Sequence, residues 1–242
     1  MLRFSLPCIC FFCGLLPAIG FAASPFEPNP ADADLGIAIE QVGVLVFPPR
    51  MLYEGISSGD VRAAISVDQD GNLTDCLLVS YTEKAFAEVA MAAIKRWKYQ
   101  PAQVHGRTQS SRADVIFSFR DQGVFVQSLP GAAERRVIES ILQGRFAYQA
   151  CPLRDLDRIP TPVHVVTPTI SGGSPKHTVT VGFYIDEEGK VRLPSVPREA
   201  ADDLFAAAAV KAVEQWRFEP PLRKGQPALV YAEQEFKFNP KK

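Results

Sequence analysis

The sequence lacks the features that mark several large classes of protein. Its 242 residues carry 26 Lys and Arg against 27 Asp and Glu. Because there is no excess of positive charge, the composition argues against nucleic-acid-binding proteins and polybasic membrane-surface proteins, which meet phosphates with a strongly basic surface. Five cysteines are too few for a disulfide-dense scaffold, and the three histidines show no metal-ligand spacing. We therefore expect no nucleic-acid partner, no metal and no cofactor.

Long apolar runs are also scarce, and the one that stands out lies at the N-terminus. Residues 4–21 are nearly all apolar or small and follow a single positive charge at Arg3. This is the pattern of a secretory signal peptide, with cleavage after about Ala22. An uncleaved inner-membrane anchor is the alternative, against which Pro7 and Pro17 argue because they would kink a spanning helix. We expect an exported, periplasmic protein.

Few cysteines would remain in the mature chain. Cleavage of the signal peptide leaves Cys76, within an expected strand, and Cys151, in an expected connector. An exported location permits a disulfide between them. Two separate, semi-buried thiols are the alternative, and the sequence leaves both open.

The rest of the chain contains an internal repeat. Matched positions are 119 residues apart around two tryptophan motifs and 118 residues apart upstream of them. The matches are WKYQP at 97–101 with WRFEP at 216–220, DQDG at 68–71 with DEEG at 186–189, and Phe117 and Phe119 with Phe236 and Phe238. So many matches with a single shift of register predict a duplicated domain.

Each copy has the pattern of two strands, a helix and a third strand. Residues 61–67 alternate between apolar and polar, which indicates a half-buried strand, and Gly71 supplies the turn to a returning strand. Apolar residues at helical spacing then end at Trp97, and Pro101 stops the helix. In the second copy Pro194 predicts a short or edge strand. The expected fold class is α+β, with two tandem β-β-α-β domains and with Trp97 and Trp216 buried between helix and sheet.

The predicted organisation has five parts. They are a signal peptide over 1–22, a proline-containing segment over 23–41, a first domain over 42–120, a connector over 121–158 and a second domain over 159–240. The connector is expected to contain a short amphipathic helix over 132–142, which either packs between the domains or binds a partner.

The order of these motifs resembles the C-terminal domain of the TonB family, in two copies. The resemblance rests on the Asp-x-x-Gly turn, the Trp-[Lys/Arg]-[Tyr/Phe]-x-Pro motif and the final Phe-x-Phe strand, and it covers about residues 42–120 and 160–239. It implies a periplasmic domain that binds partner proteins by adding a strand to its sheet. TonB proper also has a histidine-bearing membrane anchor and a long spacer. The N-terminal run here has no histidine and residues 23–41 are short, so we expect the energy-transducing parts to be missing.

A binding site of this kind requires a free sheet edge, and we predict one in each copy. The strands near 110–119 and 228–238 are the candidates, because each ends a small sheet. The candidate partner-binding residues along them are Arg112, Asp114, Ile116, Leu229, Tyr231, Glu233 and Glu235. Ordinary edge protection by outward charges is the alternative interpretation.

Two other chemical patterns carry little weight. Residues 55–59 (GISSG) fit a nucleophile elbow around Ser57, but that motif needs a preceding strand and a following helix, whereas here a strand follows. The carboxylates at Asp68, Asp70 and Asp75 fit a hairpin turn better than a calcium loop, which needs a longer ligand set. We therefore expect a binding protein, not an enzyme. A structural protein of the cell envelope is the alternative, and two sheets joined into one would favour it.

Overall fold

The computed structural model describes residues 35–130, 146–170, 177–196 and 204–238. It is mixed and strand-rich, which confirms the α+β class. The elements of the first half are β1 (Ala38–Glu40), α1 (Pro49–Tyr53), β2 (Ser58–Val67), β3 (Leu73–Tyr81), α2 (Lys84–Ile94), β4 (Lys98–Gln100), β5 (Ala102–Val104), β6 (Arg107–Gln109), β7 (Ser111–Arg120), β8 (Gly123–Pro130) and β9 (Tyr148–Gln149). The signal peptide and the helix expected over 132–142 lie outside the described residues.

The second half repeats much of this order. Its elements are β10 (Cys151–Pro152), a 3₁₀ turn (Leu153–Asp155), β11 (Pro162–His164), β12 (His177–Ile185), β13 (Val191–Ser195), α3 (Leu204–Val213), β14 (Arg217–Phe218), β15 (Leu222–Arg223), β16 (Gln226–Pro227) and β17 (Val230–Phe238).

The first half is built on a five-stranded sheet in the order β8-β7-β2-β3-β9. Alternate residues of β2 and β7 point to one face, where Phe86 and Ile94 of α2 cover them. The side chains of Val61, Ile65 and Phe117 in this layer are fully buried. Helix α2 therefore supplies the core that the alternating pattern of residues 61–67 predicts.

The second half is built on a four-stranded sheet in the order β10-β17-β12-β13, with α3 on one face. Strand β13 has five residues, includes Pro194 and lies at the sheet edge. Proline removes a ladder donor, so the prediction of a short or edge strand here is confirmed. The described strands of the two halves form separate sheets. A single sheet joined across both halves would have favoured a purely structural role, and the described strands do not form one.

The strand registers follow the spacing of the sequence repeat. Val61 lies opposite Phe117 in the first sheet, and Val179 lies opposite Phe236 in the second. The remaining pairs of β2 with β7 and of β12 with β17 keep the same relation. Residues that match in sequence therefore occupy corresponding positions in the two sheets.

One backbone contact links the two most specific motifs of each half. A Cβ added at Gly71 would lie 2.6 Å from the carbonyl oxygen of Tyr99, and one added at Gly189 would lie 2.0 Å from that of Phe218. Both glycines also have positive φ, 85° and 80°. The turn glycine and the aromatic residue two positions after the tryptophan are therefore in contact, which explains why the two motifs recur together.

Both tryptophans are buried, as predicted. Trp97 stacks on Phe117 with ring centroids 5.5 Å apart. Trp216 packs edge-on against Phe183, and its indole N–H donates to the carbonyl of Val166 at 2.8 Å. Each tryptophan therefore fixes the end of a helix to its own sheet.

The two sheets pack face to face, with the helices on the outside. Between them lies an apolar layer, here called the intersheet layer. It consists of Ala64, Leu77 and Val79 from the first sheet and Tyr184, Leu193 and Leu229 from the second half. All six side chains are buried, so the molecule has the layer order helix, sheet, sheet, helix.

Polar contacts surround the intersheet layer. Arg192 binds the carboxylate of Asp75 with two nitrogens, and this hydrogen bonding raises the pKa of Arg192. Tyr148 donates its hydroxyl to Glu187 at 2.7 Å. Since the partners belong to different halves, these contacts fix the register of one sheet on the other.

A short segment joins the edges of both sheets. The N–H of Ala150 donates to the carbonyl of Val79 in the first sheet at 2.8 Å. The N–H of Cys151, the next residue, donates to the carbonyl of Leu229 in the second half at 2.9 Å. The chain thus passes from β9 to β10 without a loop between them.

Candidate functional site

The predicted edge over residues 110–119 is not an edge. Strand β7 pairs with β2 on one side and with β8 on the other, from Ala113 opposite Pro130 to Arg120 opposite Gly123. Strand β8 lies in the stretch that we expected to be connector. The prediction that residues 110–119 form an exposed edge is therefore wrong, because the chain turns back after two residues and β8 covers β7.

Two of the candidate residues on β7 are buried. Arg112 and Asp114 point away from α2, as the alternation predicts, but the second sheet covers that face and leaves them 5% and 0% exposed. Arg62 donates to Asp114 at 3.0 Å, and Arg112 donates to the hydroxyl of Tyr184 at 3.2 Å. Burial opposes the charge on Arg112, yet Tyr184 and Asp114 outweigh it and raise its pKa. The prediction that Arg112 and Asp114 face outward is wrong.

The third candidate residue on β7 is intermediate in solvent exposure. Ile116 is half-buried and lies opposite Gln127 of β8. Its backbone is part of a central strand, so it cannot pair with an incoming strand while β8 is in place.

The second sheet has an open edge. Strand β17 pairs with β12 along its whole length, but its other side meets β10 only at Val230 and Tyr231. Because the carbonyl of Leu229 faces β10, the backbone groups of every second residue after it face the same side. Beyond Tyr231 these are the N–H and C=O groups of Glu233, Glu235 and Lys237. No strand among the described residues pairs with them.

The candidate residues on β17 divide at Tyr231. Leu229 is buried in the intersheet layer, and Tyr231 is half-buried, with its ring 5.4 Å from that of Tyr184. These two residues pack between the halves, and the expectation that Leu229 lines an accessible edge is wrong. Glu233 and Glu235 are exposed, as expected. The second-half edge suitable for binding therefore begins after Tyr231.

The side chains along the open edge differ on its two faces. On the face away from α3, Glu233 and Glu235 are exposed. The carboxylate of Glu235 forms an ion pair with Lys237, with 2.8 Å between Oε1 and Nζ. On the face toward α3, Phe236 and Phe238 are half-buried against the helix core. An incoming strand would meet carboxylates on one face and aromatic rings on the other.

The two cysteines are free, so the disulfide we considered does not form in this structure. Cys76 packs against the core under α2, and Cys151 lies in the core under α3. Burial raises the pKa of both thiols. The structure therefore has two separate thiols, as in the alternative interpretation, with Cys76 half-buried and Cys151 buried.

The remaining sequence patterns lie at the start of β2 and around the β2–β3 turn. Ser57 directly precedes β2 and follows no strand, which is the wrong context for a nucleophile elbow. In the described parts of the chain, no three His, Cys, Asp or Glu side chains group as metal ligands. Asp68 instead accepts N–H bonds from Asp70 and Asn72 within the β2–β3 turn.

These observations define an α+β protein with two helix-covered, largely antiparallel sheets, in which the side of β17 after Tyr231 pairs with no described strand. A family model described as Gram-negative bacterial TonB protein C-terminal matches residues 44–120 and 176–240, more than half of the chain. The chain belongs to this family. Domains of this family are periplasmic or envelope-associated protein-interaction modules. No curated protein matches the chain.

A membrane-spanning helix is not found in the part of the chain that the structure describes.

Proposed function

We propose that this chain is an exported, periplasmic protein-interaction module that binds partner proteins by strand addition at the open edge of β17. The observation that carries the proposal is the row of backbone groups at Glu233, Glu235 and Lys237, which no described strand pairs. An unpaired strand edge is a template for another strand. Main-chain hydrogen bonds then supply affinity, and the flanking side chains supply selectivity.

The proposal includes two tandem copies of one β-β-α-β unit. The support is the match of the family model to two segments and the shared register of β2 with β7 and of β12 with β17. The repeated contact of Gly71 with Tyr99 and of Gly189 with Phe218 supports it further.

The proposed compartment is the periplasm, with a partner in the periplasm or the outer membrane. The support is the family, whose domains interact with proteins such as outer-membrane receptors, together with the signal-peptide pattern over residues 1–22. Transport across the envelope is the process that we propose this binding serves.

The test is a matched pair of substitutions at one outward position. Glu235→Pro removes an N–H that faces the open side, while the neighbouring amides that bond to β12 remain. Glu235→Ala changes the same side chain and keeps the N–H. Tyr231 is a less suitable site because its backbone lies beside β10.

Both variants and the unchanged protein are used to capture proteins from a periplasmic extract, and the captured amounts are compared by quantitative mass spectrometry. We expect Glu235→Ala to retain capture of the same proteins, weakened only by the loss of one carboxylate, and Glu235→Pro to abolish capture while its circular dichroism spectrum is unchanged. Equal capture by a folded Glu235→Pro protein would contradict strand addition at β17.

A further inference from the structure

The two sheets differ at one edge that is equivalent in the repeat. In the first sheet β8 pairs with β7 in antiparallel register over eight residue pairs. In the second sheet the equivalent side of β17 has no described strand beyond Tyr231. Because β7 and β17 hold the same register against their inner neighbours, β8 is a template for an antiparallel strand on the part of this edge after Tyr231, where the short parallel strand β10 has ended.

The burial of matched aromatic residues reflects this difference. Phe117 and Phe119 are fully buried in the first sheet, where Val126 and Val124 of β8 lie opposite them. Their counterparts Phe236 and Phe238 are only half-buried. The apolar surface that β8 covers in the first half thus remains partly exposed in the second.

The opposite face of the edge carries charge. The spacing of 119 residues places Glu235 at the position of Ile116 and Glu233 at that of Asp114. In the first sheet the residues opposite these positions are Gln127 and Leu129 of β8. The ion pair of Lys237 with Glu235 on this face is exposed and therefore weak, so a strand on β17 would place its corresponding side chains beside two carboxylates, where basic residues pair best.

We infer that β8 is a built-in occupant of the β7 edge and that its sequence and pairing indicate the kind of strand that the β17 edge accepts. That strand runs antiparallel to β17, with β-branched apolar residues opposite Phe238 and Phe236 and basic residues opposite Glu235 and Glu233. The inference rests on the proposed function and deepens it. Since β8 already covers β7, only the β17 member of these two equivalent edges takes a partner strand.

A second copy of β17 is a poorer occupant than a basic strand. An antiparallel pair of β17 strands centred on Glu235 would place Lys237 opposite Glu233 at two positions, but it would also set the two Glu235 carboxylates against each other, and like charges across a strand pair repel. The partner is therefore an extended segment of another protein with alternating apolar and basic residues.

The test uses defined peptides and the full mature chain. The basic probe is the peptide of residues 122–130 with Gln127→Lys and Leu129→Lys, and its matched control carries Gln127→Glu and Leu129→Glu. The basic probe makes two favourable cross-strand charge pairs with Glu233 and Glu235, whereas the control peptide makes two repulsive ones. We therefore expect the basic probe to bind about tenfold more tightly than the control. The double variant Glu233→Gln, Glu235→Gln should remove this preference and still bind.

The site, orientation and stoichiometry are read from the amide resonances. Addition of the basic probe should shift residues 233–238 and leave 111–120 unchanged, with saturation at one peptide per chain. A paramagnetic label at the N-terminus of the probe should broaden Lys237 and Phe238, because Gly123 at the start of β8 lies opposite the end of β7. A label at its C-terminus should broaden Glu233.

The outcomes separate the two proposals. Equal binding of both peptides at β17, or the reverse pattern of broadening, would overturn this inference and leave strand addition in place. Shifts along β7 would contradict the role of β8 as built-in occupant. A stable dimer that the basic probe does not dissociate would show that a second copy is the occupant. Capture unaffected by Glu235→Pro would overturn the proposed function itself.

Discussion

At the scale of single residues, Trp216 shows how one side chain secures a helix, a sheet and an entry segment together. Its ring lies 5.7 Å from that of Phe236 and 6.1 Å from that of Phe183. Its N–H donates to the carbonyl of Val166, which precedes the sheet. The side chain is therefore a packing group and a hydrogen-bond donor at once.

We expect Trp216→Ala to lower the free energy of unfolding by about 3–5 kcal/mol, as for other large buried aromatic residues. Trp216→Phe should cost less, because it keeps much of the apolar volume and loses the N–H. Urea unfolding followed by circular dichroism measures both. A loss below about 1 kcal/mol for the alanine variant would show that the residue is not part of the core.

Asp114 forms ion pairs with two buried arginines between the sheets. Its carboxylate is 3.0 Å from a nitrogen of Arg62 and 3.5 Å from one of Arg112. We expect Asp114→Asn to cost about 3–5 kcal/mol, because it leaves buried charge without its counterion. Glu54→Gln, which breaks the exposed pair with Arg50, is the control and should leave the unfolding midpoint unchanged. Similar midpoints for both variants would contradict a buried charge cluster.

Sequence alternation predicted which way these residues point but not what covers them. Arg112 and Asp114 lie on the side away from α2, as expected, and that side is buried because a second sheet packs on it. A signal was present in the strands. Leu77, Leu78 and Val79 are consecutive apolar residues, and strands buried on both faces have such runs.

At the scale of secondary-structure elements, the turns were predicted best. Gly106 and Gly225 each turn the chain, as expected, with φ of 72° and 74°. Strand β8 was missed because its alternation is weak. Val124 and Val126 pack toward the core, but Phe125 between them is also large and apolar and is 69% exposed. A segment with apolar residues on both faces has no clear period of two.

The two kinds of turn glycine give a matched test. Gly225 has positive φ but open space around its Cα, whereas a Cβ at Gly189 would lie 2.0 Å from the carbonyl oxygen of Phe218. We expect Gly225→Ala to cost about 1 kcal/mol for backbone strain alone. Gly189→Ala should cost clearly more, since the backbone of Phe218 must move. Equal unfolding midpoints for the two variants would contradict the close contact between turn and tryptophan motif.

At the scale of the whole molecule, the intersheet layer packs the two halves against each other. Leu77 and Leu193 are buried in it from opposite sides, and Arg192 crosses it to bind Asp75. Sequence alone suggested two domains joined by a connector, because an interface between distant segments leaves no local period.

We expect a single cooperative unfolding transition. Trp97→Phe and Trp216→Phe each leave one tryptophan, in the second and the first half respectively. In each variant the fluorescence of the remaining tryptophan and the far-ultraviolet circular dichroism should give the same urea midpoint. Separate midpoints within one variant would show that the halves unfold independently.

The central claim is that one edge of the molecule is closed by β8 and the equivalent edge on β17 is open. Amide hydrogen exchange of the free mature chain, resolved by residue with nuclear magnetic resonance, tests it most directly. The amides of Asp114, Ile116 and Ser118 face β8 and should be strongly protected. Those of Glu233, Glu235 and Lys237 should exchange at nearly unprotected rates. Equal protection of both sets would contradict the account, because it would mean that the edge of β17 is already occupied.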